Sequence, residues 1–172
     1  RIPIRAPPGR DAQVSKAVLQ AQAIDGVVCP DAASLLAELE VAAAAAIVTE
    51  ESLYDGFDGA LGAYLARQPA WSDFPFVVLA MRQPGRRSAP ALASLKELGN
   101  LVLLERPLNP ESLGSAAHSA LRARRRQYAT RRHVDDIQAA KETVERLNAE
   151  LEGRIATRTA ELAGANDWHM RE

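Results

Sequence analysis

The sequence predicts an α/β fold: a doubly wound, five-stranded parallel sheet whose last helix extends into a coiled coil. Three observations lead there. Five short apolar runs alternate with helical stretches over the first two-thirds of the chain. Those runs lack polar alternation, as strands covered on both faces by helices do. From Asn109 onward the texture changes to a long helical pattern, poor in breakers and carrying a narrow apolar seam.

In chain order, Ile2-Pro3-Ile4 reads as the first strand, stopped by Ala6-Pro7-Pro8-Gly9. Asp11 to Ile24 reads as a helix with Val14, Ala17, Val18 and Ala21 at helical spacing, ended by Gly26. Val27-Val28-Cys29 is the second strand, stopped by Pro30. Asp31 caps a second helix carrying Leu35, Leu36 and Leu39. Ala45 to Val48 is a buried third strand ending at Thr49-Glu50. A helix over Gly56 to Gln68 follows, with Leu61, Tyr64 and Leu65 on one face. Phe76 to Leu79 is the fourth strand, Arg82 to Ala89 a Gly/Pro/Arg-rich loop, and Pro90 to Leu98 a helix ended by Gly99-Asn100. Leu101 to Leu104 is the fifth strand, followed by Glu105-Arg106-Pro107. Asn109 caps the last helix and Pro110 suits its first turn. With no breaker before Gly153, or arguably Gly164, that helix spans about fifty residues, about 75 Å, too long to pack wholly on a small domain.

The 172 residues have room for one ordinary domain and an extension. A net charge of −1 gives no global pull toward nucleic acid or membrane. The longest apolar run, Val41 to Val48, is mostly alanine and far short of the roughly 20 residues a bilayer needs. No secretory leader is read, and a chain that does not open on Met fits a piece of a longer protein. The single cysteine, Cys29, excludes an internal disulfide and a multi-cysteine metal site; it reads as a small buried hydrophobe, and a reducing cytoplasm fits.

Right-handed crossovers bring the C-terminal ends of parallel strands to one edge, where ligand chemistry belongs. The residues expected there are Arg5 to Pro8, Thr49-Glu50, Ala80-Met81 and Glu105-Arg106.

The order of elements, the Pro-led strand Phe74-Pro75-Phe76-Val77-Val78-Leu79-Ala80 and the Arg106-Pro107 pair after the last strand resemble a response-regulator receiver domain, a flavodoxin-like fold, over residues 1–120. The resemblance implies an acidic Mg²⁺ site after the first strand, a phospho-accepting Asp ending the third, a Ser/Thr after the fourth and a Lys after the fifth. This chain has Ala6 and Pro7 in the first place, with no carboxylate before Asp11. It has Thr49 or Glu50 in the second, Ala80 in the third and Arg106 in the fourth. Thr cannot form an acyl phosphate, and Glu is one methylene too long for the same in-line attack. Ala80 has no hydroxyl, and Arg keeps the charge of Lys but not its shape. The expectation is a pseudo-receiver, without metal or cofactor and not an enzyme. The alternative is a phosphoryl acceptor using a non-standard carboxylate, Glu50 or Asp11.

The stretch Leu147 to Leu162 resembles the signalling helix that precedes sensory or kinase modules in bacterial sensor histidine kinases. Ile137, Ala140, Val144, Leu147 and Leu151 step by three and four; Leu151 to Ile155 repeats a four before Arg158 and Leu162, a stutter that locally unwinds a left-handed coiled coil. The expected domains are a pseudo-receiver over 1–120, a coiled-coil signalling helix over 121–165 and a frayed tail over 166–172. The expected homodimer seam is Ile137, Val144, Leu147, Leu151, Ile155 and Leu162, extended toward the domain by Leu121 and Tyr128. The module would pass a change in helix packing to a downstream sensor or kinase module or a partner protein.

Other residues read more plainly. Arg122, Arg124, Arg125, Arg126, Arg131 and Arg132 could bind phosphate, but they point several ways around a helix and no aromatic series interleaves, so a solvated surface is expected and nucleic acid is not. His133 reads as a surface residue rather than a phospho-acceptor, and His118 as structural. Glu50 and Glu51 point apart as neighbours leaving a strand, and Glu50 could instead pair with Arg106 across the strand ends. Arg82 to Arg87 carries neither a G-x-G-x-x-G nor a Walker pattern.

Overall fold

A computed structural model describes residues 1–41, 43–54, 57, 59–82, 85 and 87–169, with side chains to residue 164. The chain divides into two compact units, Arg1–Ala129 and Thr130–Glu172. The first holds β1 (Ile2–Arg5), α1 (Arg10–Ala21), β2 (Gly26–Cys29), α2 (Ala32–Val41), β3 (Ala46–Thr49), α3 (Glu50–Leu53), α4 (Ala60–Ala66), β4 (Phe76–Met81), α5 (Ala89–Glu97) and β5 (Leu101–Arg106). It also holds the first part of α6 (Pro110–His169), whose remainder is the second unit.

The strands form one sheet in the order β2-β1-β3-β4-β5, parallel throughout. Side chains alternate across it. Ile2, Ile4, Ile47, Val77 and Leu79 join the core closed by Leu19 of α1 and by Leu113 and Ala117 of α6. Ala46, Val48, Phe76 and Val78 join the second core, closed by Leu35 and Leu39 of α2, Leu61 of α4 and Leu95 of α5. Both faces are therefore covered, which is why the strands read as unbroken apolar runs.

Two expected caps form. Ser34 N donates to Asp31 Oδ1 at 2.7 Å at the start of α2. Asn109 Oδ1 accepts from Glu111 N and Ser112 N at 2.8 and 3.2 Å at the start of α6.

Several expectations are corrected. The first helix stops at Ala21, short of Ile24, because Ala23 turns into the left-handed region (φ 55°) while Ala23 N and Ile24 N donate back to Gln20 O and Leu19 O. Gly26 is not the stop; it opens β2, where a Cβ would lie 2.9 Å from Leu19 Cδ1. The single helix expected over 56–68 is two: α3 directly after β3, and α4 after Gly59 (φ 79°). Its expected first residue, Gly56, lies outside the described residues. The strands β1, β4 and β5 run one or two residues further than expected, to Arg5, Met81 and Arg106. α6 passes through both Gly153 and Gly164, since an interior glycine weakens a helix by about 1 kcal/mol without breaking it. The tail expected to fray is helical to His169, and residues 170–172 lie outside the described residues. The first compact unit ends at Ala129.

Candidate functional site

The C-terminal edge of the sheet gathers the expected residues. Arg5 ends β1 and Ala6-Pro7 follow it; Thr49 ends β3, Glu50 and Glu51 open α3, Ala80 and Met81 end β4, and Arg106 ends β5. Thr49, Glu50, Ser52 and Ala80 are buried, while Pro7 is exposed. The chain leaves β5 through a cis Arg106–Pro107 bond.

The polar groups at this edge are paired with one another. Thr49 caps α3: its Oγ1 accepts from Ser52 N at 3.3 Å and lies 2.8 Å from Ser52 Oγ. With that cap α3 begins directly after the strand, so Glu50 and Glu51 stand on its first turn. Glu50 Oε1 accepts from Arg87 Nε at 3.3 Å, both side chains being largely buried. Glu51 Oε1 accepts from Arg106 Nη2, and Asp11 Oδ2, brought back by the first turn of α1, accepts from Arg106 Nη1 at 2.7 Å. The Glu50–Arg106 pair that the sequence allowed does not form; Arg106 takes Glu51 and Asp11, and Glu50, on the first turn of α3, takes Arg87. Burial disfavours the Arg106 guanidinium, but its hydrogen bonds to Asp11 and Glu51 and their charges outweigh this and push its pKa up.

Arg5 adds a third guanidinium, nine-tenths buried, with Nη1 donating to Ala6 O at 3.1 Å. Three carboxylates thus meet two arginines at one sheet edge, with Arg5 alongside on a backbone carbonyl. A cleft of about 240 Å³ beside them is lined by Glu50, Glu51, Tyr54, Met81 and Ser88. Burial, with Glu50 close by, raises the Tyr54 phenol above its usual range. Mg²⁺ needs several free oxygen ligands in an octahedral shell. Asp11, Glu50 and Glu51 each give one oxygen to an arginine, so a cation here would have to compete with a guanidinium at every acid, and the donor set fits the ion poorly. Among the described residues no group of three or more potential metal ligands is found elsewhere either.

In the second unit Ile137, Val144, Leu147, Leu151, Ile155 and Leu162 are 48–69 % exposed on the single chain. Ion pairs lie around them, as Lys141–Glu145 at 3.8 Å and Arg158–Glu161 at 3.2 Å. Leu121 and Tyr128 do not continue this bare stripe. Leu121 packs on the first core, and the Tyr128 ring meets that of Trp71 at a 41° tilt with centroids 5.6 Å apart.

The sequence missed the role of Arg124. Instead of lying on a solvated surface it is 7 % exposed, with its guanidinium 4.8, 5.3 and 5.6 Å from the rings of Tyr128, Phe74 and Trp71. Its Nη1 donates to Ser72 Oγ and Gln127 Oε1 at 2.6 and 2.8 Å. The signal was the spacing: Leu113, Ala117, Ala120 and Arg124 continue one buried stripe by steps of four, three and four. His118 Nε2 lies 3.2 Å from Gln22 Oε1, and His133 is exposed.

No protein-family model matches the chain, and no curated protein does. Solved structures do. Full-length FixJ from B. japonicum aligns over 80 % of this chain and 65 % of its own, with a TM-score of 0.59 and 18 % identity. NtrX from Brucella abortus, in complex with ADP, aligns over 79 % of this chain and 28 % of its own (TM-score 0.58, 16 % identity). A two-component response regulator from Clostridium difficile aligns over 70 % and 94 % (TM-score 0.54, 19 % identity). The fold is the receiver fold. At these identities the likeness is one of fold, and the chain spans less than two-thirds of the length of FixJ and of NtrX. No helix among the described residues is long and apolar enough to cross a membrane.

Proposed function

We propose that this chain is a signalling and dimerisation module: a degenerate receiver domain that no longer accepts a phosphoryl group and passes conformational change through its last helix. The observation that carries the reading is the closed pairing of the sheet edge. Asp11 and Glu51 are held by Arg106, and Glu50 by Arg87, while Thr49 spends its hydroxyl on a helix cap. An acyl phosphate needs a carboxylate free to attack beside a metal, and the pairing supports the reading because each of these acids would first have to leave its arginine. The domain then takes its input as a contact or a conformational bias.

The output runs through α6. The bare stripe from Ile137 to Leu162 supports pairing with a second copy, in parallel. With Ile137 taken as the first core position of a heptad, Asp136 of one copy comes opposite Lys141 of the other, a charge match that favours the parallel arrangement. The stutter between Leu151 and Ile155 gives two helix packings of similar energy, which a switch requires. The module belongs, on this reading, to a cytoplasmic sensor histidine kinase and hands its signal to a sensory or kinase module.

Two measurements test this. Light scattering over a concentration series is expected to give a dimer; a monomer at every concentration removes the transmitter. Incubation with acetyl phosphate and Mg²⁺ is expected to leave no acid-labile phosphate on the protein. Stoichiometric phosphate abolished by Glu50→Gln would establish the non-standard acceptor instead.

A further inference from the structure

The opposite, N-terminal edge of the sheet holds a cavity of about 490 Å³, within the first unit and remote from the residues of the C-terminal edge. Its lining includes Arg1, Asp25, Arg122, Arg124 and Arg125, with His118 beside them. On α6 the steps from His118 to Arg122 to Arg125 are four and three, which puts the three on one helix face. That face meets the turn between α1 and β2, where Gln22 and Asp25 lie.

The charges here do not balance. Four guanidiniums line the cavity against one carboxylate. Arg1 has its own partner in Glu38, 3.0 Å away. Arg122 donates to the neutral Ser119 Oγ, and Arg124 to the neutral Ser72 and Gln127. Among the described residues neither of these two, nor Arg125, has a carboxylate within ion-pair distance. Arg124 lines the cavity as well, but its guanidinium is taken up by Ser72, Gln127 and the rings of Tyr128, Phe74 and Trp71, which leaves Arg122 and Arg125 as the unmatched charges. Aromatic faces offset part of the cost of burying the Arg124 charge. At the C-terminal edge three carboxylates stand against Arg87, Arg106 and Arg5, and only Arg5 lacks an acid of its own.

We propose that this cavity binds a small, multiply charged phosphate anion, of the diphosphate class. Guanidinium forks match phosphate oxygens in bidentate pairs, and a single carboxylate ligand would neutralise only one of the two unmatched arginines, Arg122 and Arg125. The volume lies within the range of small-molecule sites, roughly 300–1,000 Å³. An occupant would tie α6, just ahead of the end of the first unit at Ala129, to the α1–β2 turn. The binding claim stands independently of the dimer and of the lost phospho-site.

The test is calorimetric titration of the whole chain with inorganic pyrophosphate at low salt. The variants are Arg122→Ala/Arg125→Ala and, as a control for net charge, Lys16→Ala/Lys96→Ala. All four side chains are exposed, so both variants are expected to fold. The expected result is saturable binding of one pyrophosphate per chain, weakened at least about tenfold in the arginine variant and unchanged in the lysine variant. Pyrophosphate should likewise raise the thermal midpoint of the parent and of the lysine variant but not of the arginine variant. No saturable binding up to millimolar pyrophosphate, or equal weakening in both variants, overturns the site. Tighter, arginine-dependent retention of a DNA duplex than of pyrophosphate overturns the small-molecule assignment.

Discussion

Replacing Leu147 and Leu151 together with alanine perturbs the proposed interface without touching the receiver-fold unit. On a single chain these side chains are 48 % and 52 % exposed. Full burial of a leucine contributes about 1.5–3 kcal/mol, so pairing, which removes the remaining half from water, contributes about 1 kcal/mol for each. A dimer holds four such leucines, and the double substitution therefore weakens association by about 4 kcal/mol, roughly a thousandfold in dissociation constant. Alanine is the best helix former, so α6 itself is not disturbed. Sedimentation equilibrium of both proteins over a wide concentration range reads the shift directly, with circular dichroism confirming equal helix content. A variant that dimerises as tightly as its parent would refute the seam, and would point to a dimer formed through the first unit.

Three further outcomes are expected. Arg106→Ala strips the partner from Asp11 and Glu51; because both carboxylates are a third or more exposed, water compensates, and a loss of about 1–2 kcal/mol in urea unfolding is expected. Asp31 is held below the ordinary carboxylate range, chiefly by the hydrogen bond from Ser34 N and then by the Ser34 hydroxyl. A depressed folded-state pKa gives stability that is present above the unfolded value and lost as pH falls through the folded one, so Asp31→Asn should flatten the acid limb of a stability-versus-pH curve. A fragment ending at 129 should fold while one ending at 120 should not, because the latter lacks Arg124, Gln127 and Tyr128; Arg124→Ala in the whole chain should cost about 2–3 kcal/mol, read by denaturant unfolding.

What the sequence made legible was whatever depends on one local pattern. The sheet was readable because β1, β3 and β4 are short apolar runs buried along almost their whole length, and the half-buried edge strands β2 and β5 keep the same texture. The burial of Arg124 was not readable, because it stands in the run Arg122-Ala123-Arg124-Arg125-Arg126, where composition says surface. Only the aromatic rings of Trp71, Phe74 and Tyr128, two of them some fifty residues away in sequence, make that position an interior one.

The ion pairs at the sheet edge show the same limit more sharply. Strand order alone puts the ends of β3 and β5 near one another, and from that Glu50 could pair with Arg106. The direction of a side chain just past a strand is set by what the backbone does next. Thr49 caps α3 at once, so Glu50 and Glu51 stand on the first turn of a helix, about 100° apart around its axis. Glu50 turns inward to Arg87, and Glu51 is the one that reaches Arg106. Asp11, too late in sequence to serve the loop after β1, is folded back by the first turn of α1 to the same guanidinium. We expect the capping threonine to decide which carboxylates are spent and where. Thr49→Val, which keeps the shape and removes the acceptor, should loosen α3 and redistribute these pairs, visible as a change in Arg106 and Arg87 side-chain NMR resonances with the sheet intact. Unchanged resonances would mean that the arginines, and not the cap, orient the two glutamates.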